Sequence, residues 1–263
     1  MTVLAKQLRD HRRGYLAWAG AIAAVAAMYS AFWPTLGDNP GMAKAIDAFP
    51  QSIRDAFHMQ DYATPAGYFG STVFGLLVPI LITVFAISLG VGAIAGDEQA
   101  GTLDLVLAHP VSRTRLALTR YGAILITLTT AGALLLLAVV ALRVPAKYTT
   151  LSIPHLAAMC FQLTLFGLCF ASIAFGIGTF TGLRTITLGA SAYLAVVAYL
   201  CDSFLPQISA LKWVQGLSPF DWYLGGQPLV NGIQWRHCAL LAGTALLCAA
   251  IGTWRFHRRD LIA

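Results

Sequence analysis

Six long apolar runs leave this chain few ways to fold. Residues 14–33, 68–95, 116–142, 154–180, 186–205 and 237–254 are each close to or above the roughly 20 mainly apolar residues that a helix needs to cross a bilayer. A backbone in hydrocarbon must satisfy its own N–H and C=O groups, so each run is expected to be helical. Only 11% of the 263 residues are charged and 58% are hydrophobic, whereas a soluble domain carries about 25% charged residues. The runs fill more than half the chain, which leaves no room for a separate soluble domain of ordinary size. The expected fold class is an all-α integral membrane protein with about six transmembrane helices, a single domain over residues 1–263.

Arg12 and Arg13 precede the first run, as in a signal peptide. The run is near full span length, longer than a typical signal-peptide core, so it reads as an uncleaved first helix. Lysine and arginine orient the spans. Eleven of the 17 lie on one set of span ends (Lys6, Arg9, Arg12, Arg13, Arg113, Arg115, Arg120, Arg184, Arg255, Arg258, Arg259). Six lie on the other: Lys44, Arg54, Arg143, Lys147, Lys212 and Arg236. By the positive-inside rule the richer side is cytoplasmic. Both termini are then inside, which requires an even number of spans. The net charge of +6 is spread over span ends rather than gathered in one patch, which fits membrane topology and not nucleic-acid binding.

Three connections carry more pattern than plain loops. In residues 1–13, Leu4 and Leu8 recur with Tyr15 at helical spacing while Lys6, Arg9 and Arg13 take other faces. This is a short amphipathic helix at the lipid surface, or an ordinary charged flank. The outer segment 37–67 places Met42, Ile46, Phe49, Ile53 and Phe57 at steps of three or four, divided by Pro50. Two short helices on the outer face are expected there, with Asp38, Asp47, Asp55 and Asp61 facing water. Segment 206–236 is too apolar for open solvent yet broken by Pro206, Pro219, Pro228, Gly216, Gly225 and Gly226. It reads as re-entrant or interfacial helices, or equally as an aromatic anchor belt. Within the spans, Gly70, Gly75, Gly90, Gly92, Gly176, Gly178 and Gly182 are expected to let helices approach closely, with a hinge role as the alternative.

Several chemistries are missing. No lysine follows a glycine, so there is no G-x-x-x-x-G-K-[ST] loop to cradle ATP phosphates. No G-x-S-x-G turn is present. None of the six histidines pairs with another at i, i+4, and the five cysteines lie in or beside apolar spans without a CxxC partner. Hardly any ionisable residue is central in a span, so proton wires and voltage sensors are not indicated. The chain is therefore not expected to be an enzyme, and no cofactor or metal is expected on it.

The exception to this apolar monotony is residues 96–115, a polar, helix-forming island between the second and third runs. It holds the only glutamate, Glu98. Asp97 can cap the helix that follows, and both acids suit its positive end. Leu103, Val106 and Leu107 form an apolar face too small to span a membrane and too apolar to be left in water. His109-Pro110 stops the helix, and Ser112 can cap the next one, which runs through Arg113 into the third span.

Glu98-Gln99-Ala100-Gly101-Thr102-Leu103 (E-x-x-G-T-L), followed by Pro110-Val111-Ser112-Arg113, resembles the signature of ATP-binding-cassette type-2 permeases. The basic start, the six spans, Ser218-Pro219-Phe220 before the last span and the ending from Phe256 to Leu261 are also similar, so the resemblance covers nearly the whole chain. It implies that the island is a coupling helix fitting a cleft on a separate ATPase, a role carried onto Glu98, Gly101, Thr102 and Leu103. Asp97, Val106, Leu107 and Arg113 flank them. It further implies a permease that pairs with a second copy or a paralogue and binds two cytoplasmic ATPase subunits carrying ATP and Mg. The expected setting is the cell membrane, multi-pass, with export of a hydrophobic or amphipathic substrate and contact with membrane lipid. The rivals are a non-transporting scaffold for an assembly or maturation complex and an intramembrane enzyme.

Overall fold

A computed structural model describes residues 3–36, 39–59, 61–101 and 112–259. The first helix, α1 (Val3–Leu36), runs without a break from the basic start through the first span. The separate interfacial helix expected at residues 1–13 is thus continuous with the span. Gly14 is the only breaker at that junction, and one glycine costs a helix only about 1 kcal/mol. Arg9, Arg12 and Arg13 remain exposed on it.

Segment 37–67 forms the two short helices its spacing indicates. Asn39 caps α2 (Pro40–Asp47), its side-chain oxygen accepting from Gly41 N at 2.9 Å. Pro50 stands at the N-cap of α3 (Gln51–Ala56). The apolar stripe is only partly buried, however. Ile46 and Ala56 are inside and Phe57 meets Phe204 edge-on, while Phe49 and Ile53 are exposed. Asp47 and Asp61 face outward as expected, and Asp38 lies outside the described residues.

Span 2 is irregular. It begins as α4 (Pro65–Tyr68), widens into a nine-residue π-helical stretch, Phe69–Leu77, and continues as α5 (Val78–Ala93). The cause is local. Pro79 has no N–H, and at i→i+5 spacing that missing donor would have served the Phe74 carbonyl. The Tyr223 hydroxyl donates to Phe74 O instead, at 3.0 Å.

After the short α6 (Ala95–Gln99) come three long helices: α7 (Arg113–Leu142), α8 (Ile153–Thr181) and α9 (Arg184–Ser203). Two 3-10 turns and three short helices follow, α10 (Lys212–Gln215), α11 (Pro219–Leu224) and α12 (Pro228–Asn231). The last span is α13 (Trp235–Arg258). Six helices are long and apolar enough to cross a membrane, and no strand occurs among the described residues. The chain is an all-α integral membrane protein.

α8 is the central post, with 72% of its apolar window buried against protein, whereas α1, α9 and α13 bury only 28%, 22% and 28%. Where α8 meets α5, a Cβ on Gly90 would lie 2.4 Å from Ala171 O, so only glycine permits that approach. A Cβ on Gly92 would meet nothing within 4 Å, so no close approach there requires glycine. Segment 206–236 divides between its two readings. Phe220, Tyr223 and Leu224 enter the bundle, with Phe220 and Tyr223 against Phe166 at 4.8 and 5.0 Å between ring centroids. Trp213 and Trp235 stay exposed, as interfacial anchors would be. All five cysteines are free, and Cys160, Cys169 and Cys238 are buried among apolar neighbours.

Candidate functional site

The polar island begins where α5 ends. Ile94, at φ −136°, breaks the helix, and α6 starts at a new angle with Asp97 and Glu98 in its first turn. Asp97 does not cap this helix; the N-cap position is Ile94 and makes no side-chain bond. Successive residues on a helix point about 100° apart, and three in a row here reach three different spans. Asp97 forms an ion pair with Arg120 of α7. Glu98 forms one with Arg259, just beyond α13. The Gln99 side-chain oxygen accepts from Arg184 N, in the first turn of α9, at 2.8 Å.

Each arginine also serves a helix end. The last carbonyls of a helix lack intrahelical donors. Arg120 donates to Ala93 O of α5 at 2.5 Å, and Arg259 donates to Thr179 O of α8 at 3.0 Å. Arg113 closes the ring from the other side, its guanidinium donating to the Arg259 backbone carbonyl. Ser112 caps α7 as its sequence position suggests, accepting from Arg115 N at 3.3 Å.

Gly182 makes the arrangement possible. It ends α8 at φ +67°, and a Cβ there would stand 2.5 Å from the Glu98 carboxylate and 2.7 Å from the Arg259 guanidinium. The side chains of Glu98 and Arg259 are 8% and 9% exposed, so the pair is screened from water. Such a pair adds little net stability over an apolar one, but removing one partner strands the other charge. The result is an ionic clasp that ties the start of the polar segment to spans 2, 3, 4, 5 and 6 at one end of the bundle.

Of the residues singled out from sequence, Asp97, Glu98 and Arg113 are in the clasp, and Gly101 is exposed at φ +67°. Thr102, Leu103, Val106 and Leu107 lie outside the described residues. Arg120, Arg259, Gln99, Thr179 and Gly182 were not anticipated. One signal was available: a lone glutamate among 17 basic residues needs a partner, but sequence cannot choose one 161 positions away.

At the opposite end, Asp202 is buried and its carboxylate lies 3.2 Å from His58 Nε2. Gln215 donates to its other oxygen at 3.5 Å. Nearby Asp221 has its carboxyl pushed up, first by burial and then by Asp202, with His237 and His58 opposing. A cavity of about 100 Å³ opens beside His58, Asp61 and Gln227, all three at positive φ. Among the described residues no cluster of His, Cys, Asp or Glu is arranged to hold a metal.

Residues 1–261 match the family described as ABC-2 family transporter protein. No curated protein matches the chain at a significant level. The match takes in all six spans and the clasp, almost end to end, so the chain belongs to the ABC-2 transporter family, as the membrane-spanning permease component of an ABC transporter.

Proposed function

We propose that this permease drives export by coupling to two separate cytoplasmic ATPase subunits through residues 96–115, and that it works as a pair with a second copy or a paralogue. The observation that carries this reading is the clasp. A push on the segment beginning at α6 would reach three spans through Asp97, Glu98 and Gln99, and two more because Arg120 and Arg259 also bind the ends of α5 and α8. Leu103, Val106 and Leu107 would offer the ATPase an apolar contact, with Gly101, Thr102 and Arg113 beside them in the segment. ATP and Mg reside on the partner, since this chain has no phosphate-binding loop. Closure of two ATPases on ATP would move the two segments and shift packed helices between two arrangements, the logic of alternating access. The termini and the clasp then face the cytoplasm of the cell membrane. The substrate is hydrophobic or amphipathic, in keeping with the sparsely buried faces of α1, α9 and α13.

The test is co-purification of the permease with its cognate ATPase, together with the ATPase rate. Leu103→Asp is expected to weaken or abolish assembly while the permease still inserts. Glu98→Ala is expected to retain some assembly but lower transport-linked hydrolysis. Normal assembly and normal rates in both variants would remove residues 96–115 as the coupling element. An ATPase rate that stays constant with every candidate substrate would favour the scaffold reading.

A further inference from the structure

A groove runs between α7 and α13 on the half of the bundle that carries the clasp, with a volume of about 550 Å³. Leu118 and Tyr121 form one wall, Leu246, Ala250 and Trp254 the other, and His257 stands at its mouth. Leu118, Leu246 and Trp254 are more than half exposed, so no described part of this chain covers them. Leu246 and His257 are eleven residues apart along one helix, about 16 Å at 1.5 Å per residue. The hydrocarbon core is about 30 Å thick. The groove is therefore about one leaflet long and lies on the flank of two spans, where acyl chains and not water would meet it.

Its mouth is cationic. His257 Nδ1 is 3.4 Å from the Thr114 hydroxyl. The Arg258 guanidinium sits 4.8 Å from the Trp254 ring centroid, held over the groove wall. Arg115 is exposed and three residues from Leu118, hence on the same face of α7. The arginines of the clasp turn inward to carboxylates and carbonyls. Arg115 and Arg258 have no carboxylate partner among the described residues.

We propose that this groove is a binding site for an acidic phospholipid of the leaflet on the side of the termini, with one acyl chain between α7 and α13 and the headgroup phosphate at Thr114, Arg115 and Arg258. Charge selects this occupant over a second copy of the chain. A two-fold contact through the groove would set Arg115 and Arg258 against their own copies. A zwitterionic lipid would fill the groove equally well but bring no net counter-charge to the two cations. The inference rests on the membrane fold alone and does not depend on transport.

Trp254 supplies the readout. Acyl chains brominated near the headgroup quench an indole on contact, and a Trp254→Phe variant subtracts the other tryptophans. The purified chain is placed in nanodiscs of phosphatidylcholine containing increasing mole fractions of brominated phosphatidylglycerol or, separately, brominated phosphatidylcholine. Half-quenching of the Trp254 component is expected at a mole fraction about fivefold lower for phosphatidylglycerol for each arginine engaged. Arg115→Gln leaves the Arg258–Trp254 contact in place and should lose about one such factor. Arg115→Gln with Arg258→Gln should make the two lipids equal while both still quench. Equal half-quenching by the two lipids in the unaltered chain would reduce the groove to ordinary annular contact and overturn the proposal. Absence of quenching by either lipid would mean that protein covers the groove, and would overturn it as well.

Discussion

Glu98→Gln is the perturbation that bears most directly on the clasp. The substitution keeps the shape of the side chain and one acceptor for Arg259, but removes the charge. Arg259, 9% exposed, then keeps only Thr179 O as a strong acceptor in a poorly solvated position. Breaking a buried ion pair by removing one partner costs about 3–5 kcal/mol. The surviving amide acceptor argues for the low end, about 3 kcal/mol, or roughly a hundredfold in the folding equilibrium. Arg259→Gln should cost at least as much, because it also removes the donor to Thr179 O. Arg113 is unaffected by either change, since it binds the backbone carbonyl of residue 259. With both charges gone the pair becomes two neutral amides, and much of the loss should return. A double-mutant cycle, read by reversible unfolding in mixed micelles, is therefore expected to give a coupling energy of about 2 kcal/mol or more. Asp97→Asn is the internal comparison. Arg120 is as buried as Arg259, but the Asp97 carboxylate is 37% exposed, so water reaches the pair from that side and the loss should be smaller. A coupling energy within about 0.5 kcal/mol of zero would refute the reasoning, because sites that do not interact add within that margin.

Cysteine-accessibility labelling should place residue 44 on one side of the membrane and residue 113 on the other, with both termini on the side of 113; labelling of 44 and 113 from the same side would overturn the six-span topology. Ile46→Asp should destabilise by about 2–3 kcal/mol through an unpaired charge in a buried position, whereas Phe49→Asp should stay near neutral because Phe49 is 47% exposed; equal losses in thermal melts would contradict the observed burial of α2. Tyr223→Phe should cost about 1–3 kcal/mol, the penalty for leaving the buried Phe74 carbonyl without its donor, and a melt unchanged from the parent would show that the π-helical stretch needs no such bond. Asp221→Asn should be more stable than the parent at neutral pH. The carboxyl is raised above its ordinary value of 3.8 in the folded chain, so the parent loses stability as pH rises through the raised value and loses none below 3.8. The gap between the two melting temperatures should close toward acid pH, and a gap that widens there would reverse the assignment.

Span count, the two short helices divided by Pro50, the Ser112 cap and the apolar, broken character of segment 206–236 were all legible in the sequence. Each follows from a local rule: length in hydrocarbon, three-and-four spacing around a proline, a hydroxyl before a helix, aromatic residues too apolar for solvent. Three features were not legible, for one shared reason. The π-helical stretch depends on Pro79 leaving a carbonyl open and on Tyr223, 149 positions from Phe74, reaching it. The exposure of Phe49 and Ile53 depends on how far α3 leans toward the C-terminal end of α9. The clasp depends on which of many basic residues meets Glu98.

The position of Glu98 also follows from solvation once the bundle is assembled. A carboxylate just beyond a span end can face the headgroups, face water or face protein. Here the ends of α5 and α8 present unpaired carbonyls that attract guanidinium groups, as the last turn of a helix does. Arg120 and Arg259 bind those carbonyls. Once two cations are fixed in place under little water, the nearby acids among the described residues, Asp97 and Glu98, are drawn inward rather than outward. From sequence alone, Glu98 is the natural contact for a partner; with the helix ends in place, it is the counter-charge that holds the start of residues 96–115 to the bundle. Gly182, which leaves room for both charges, is the geometric condition for that choice. By this reasoning Gly182→Ala should weaken the clasp without altering any charge.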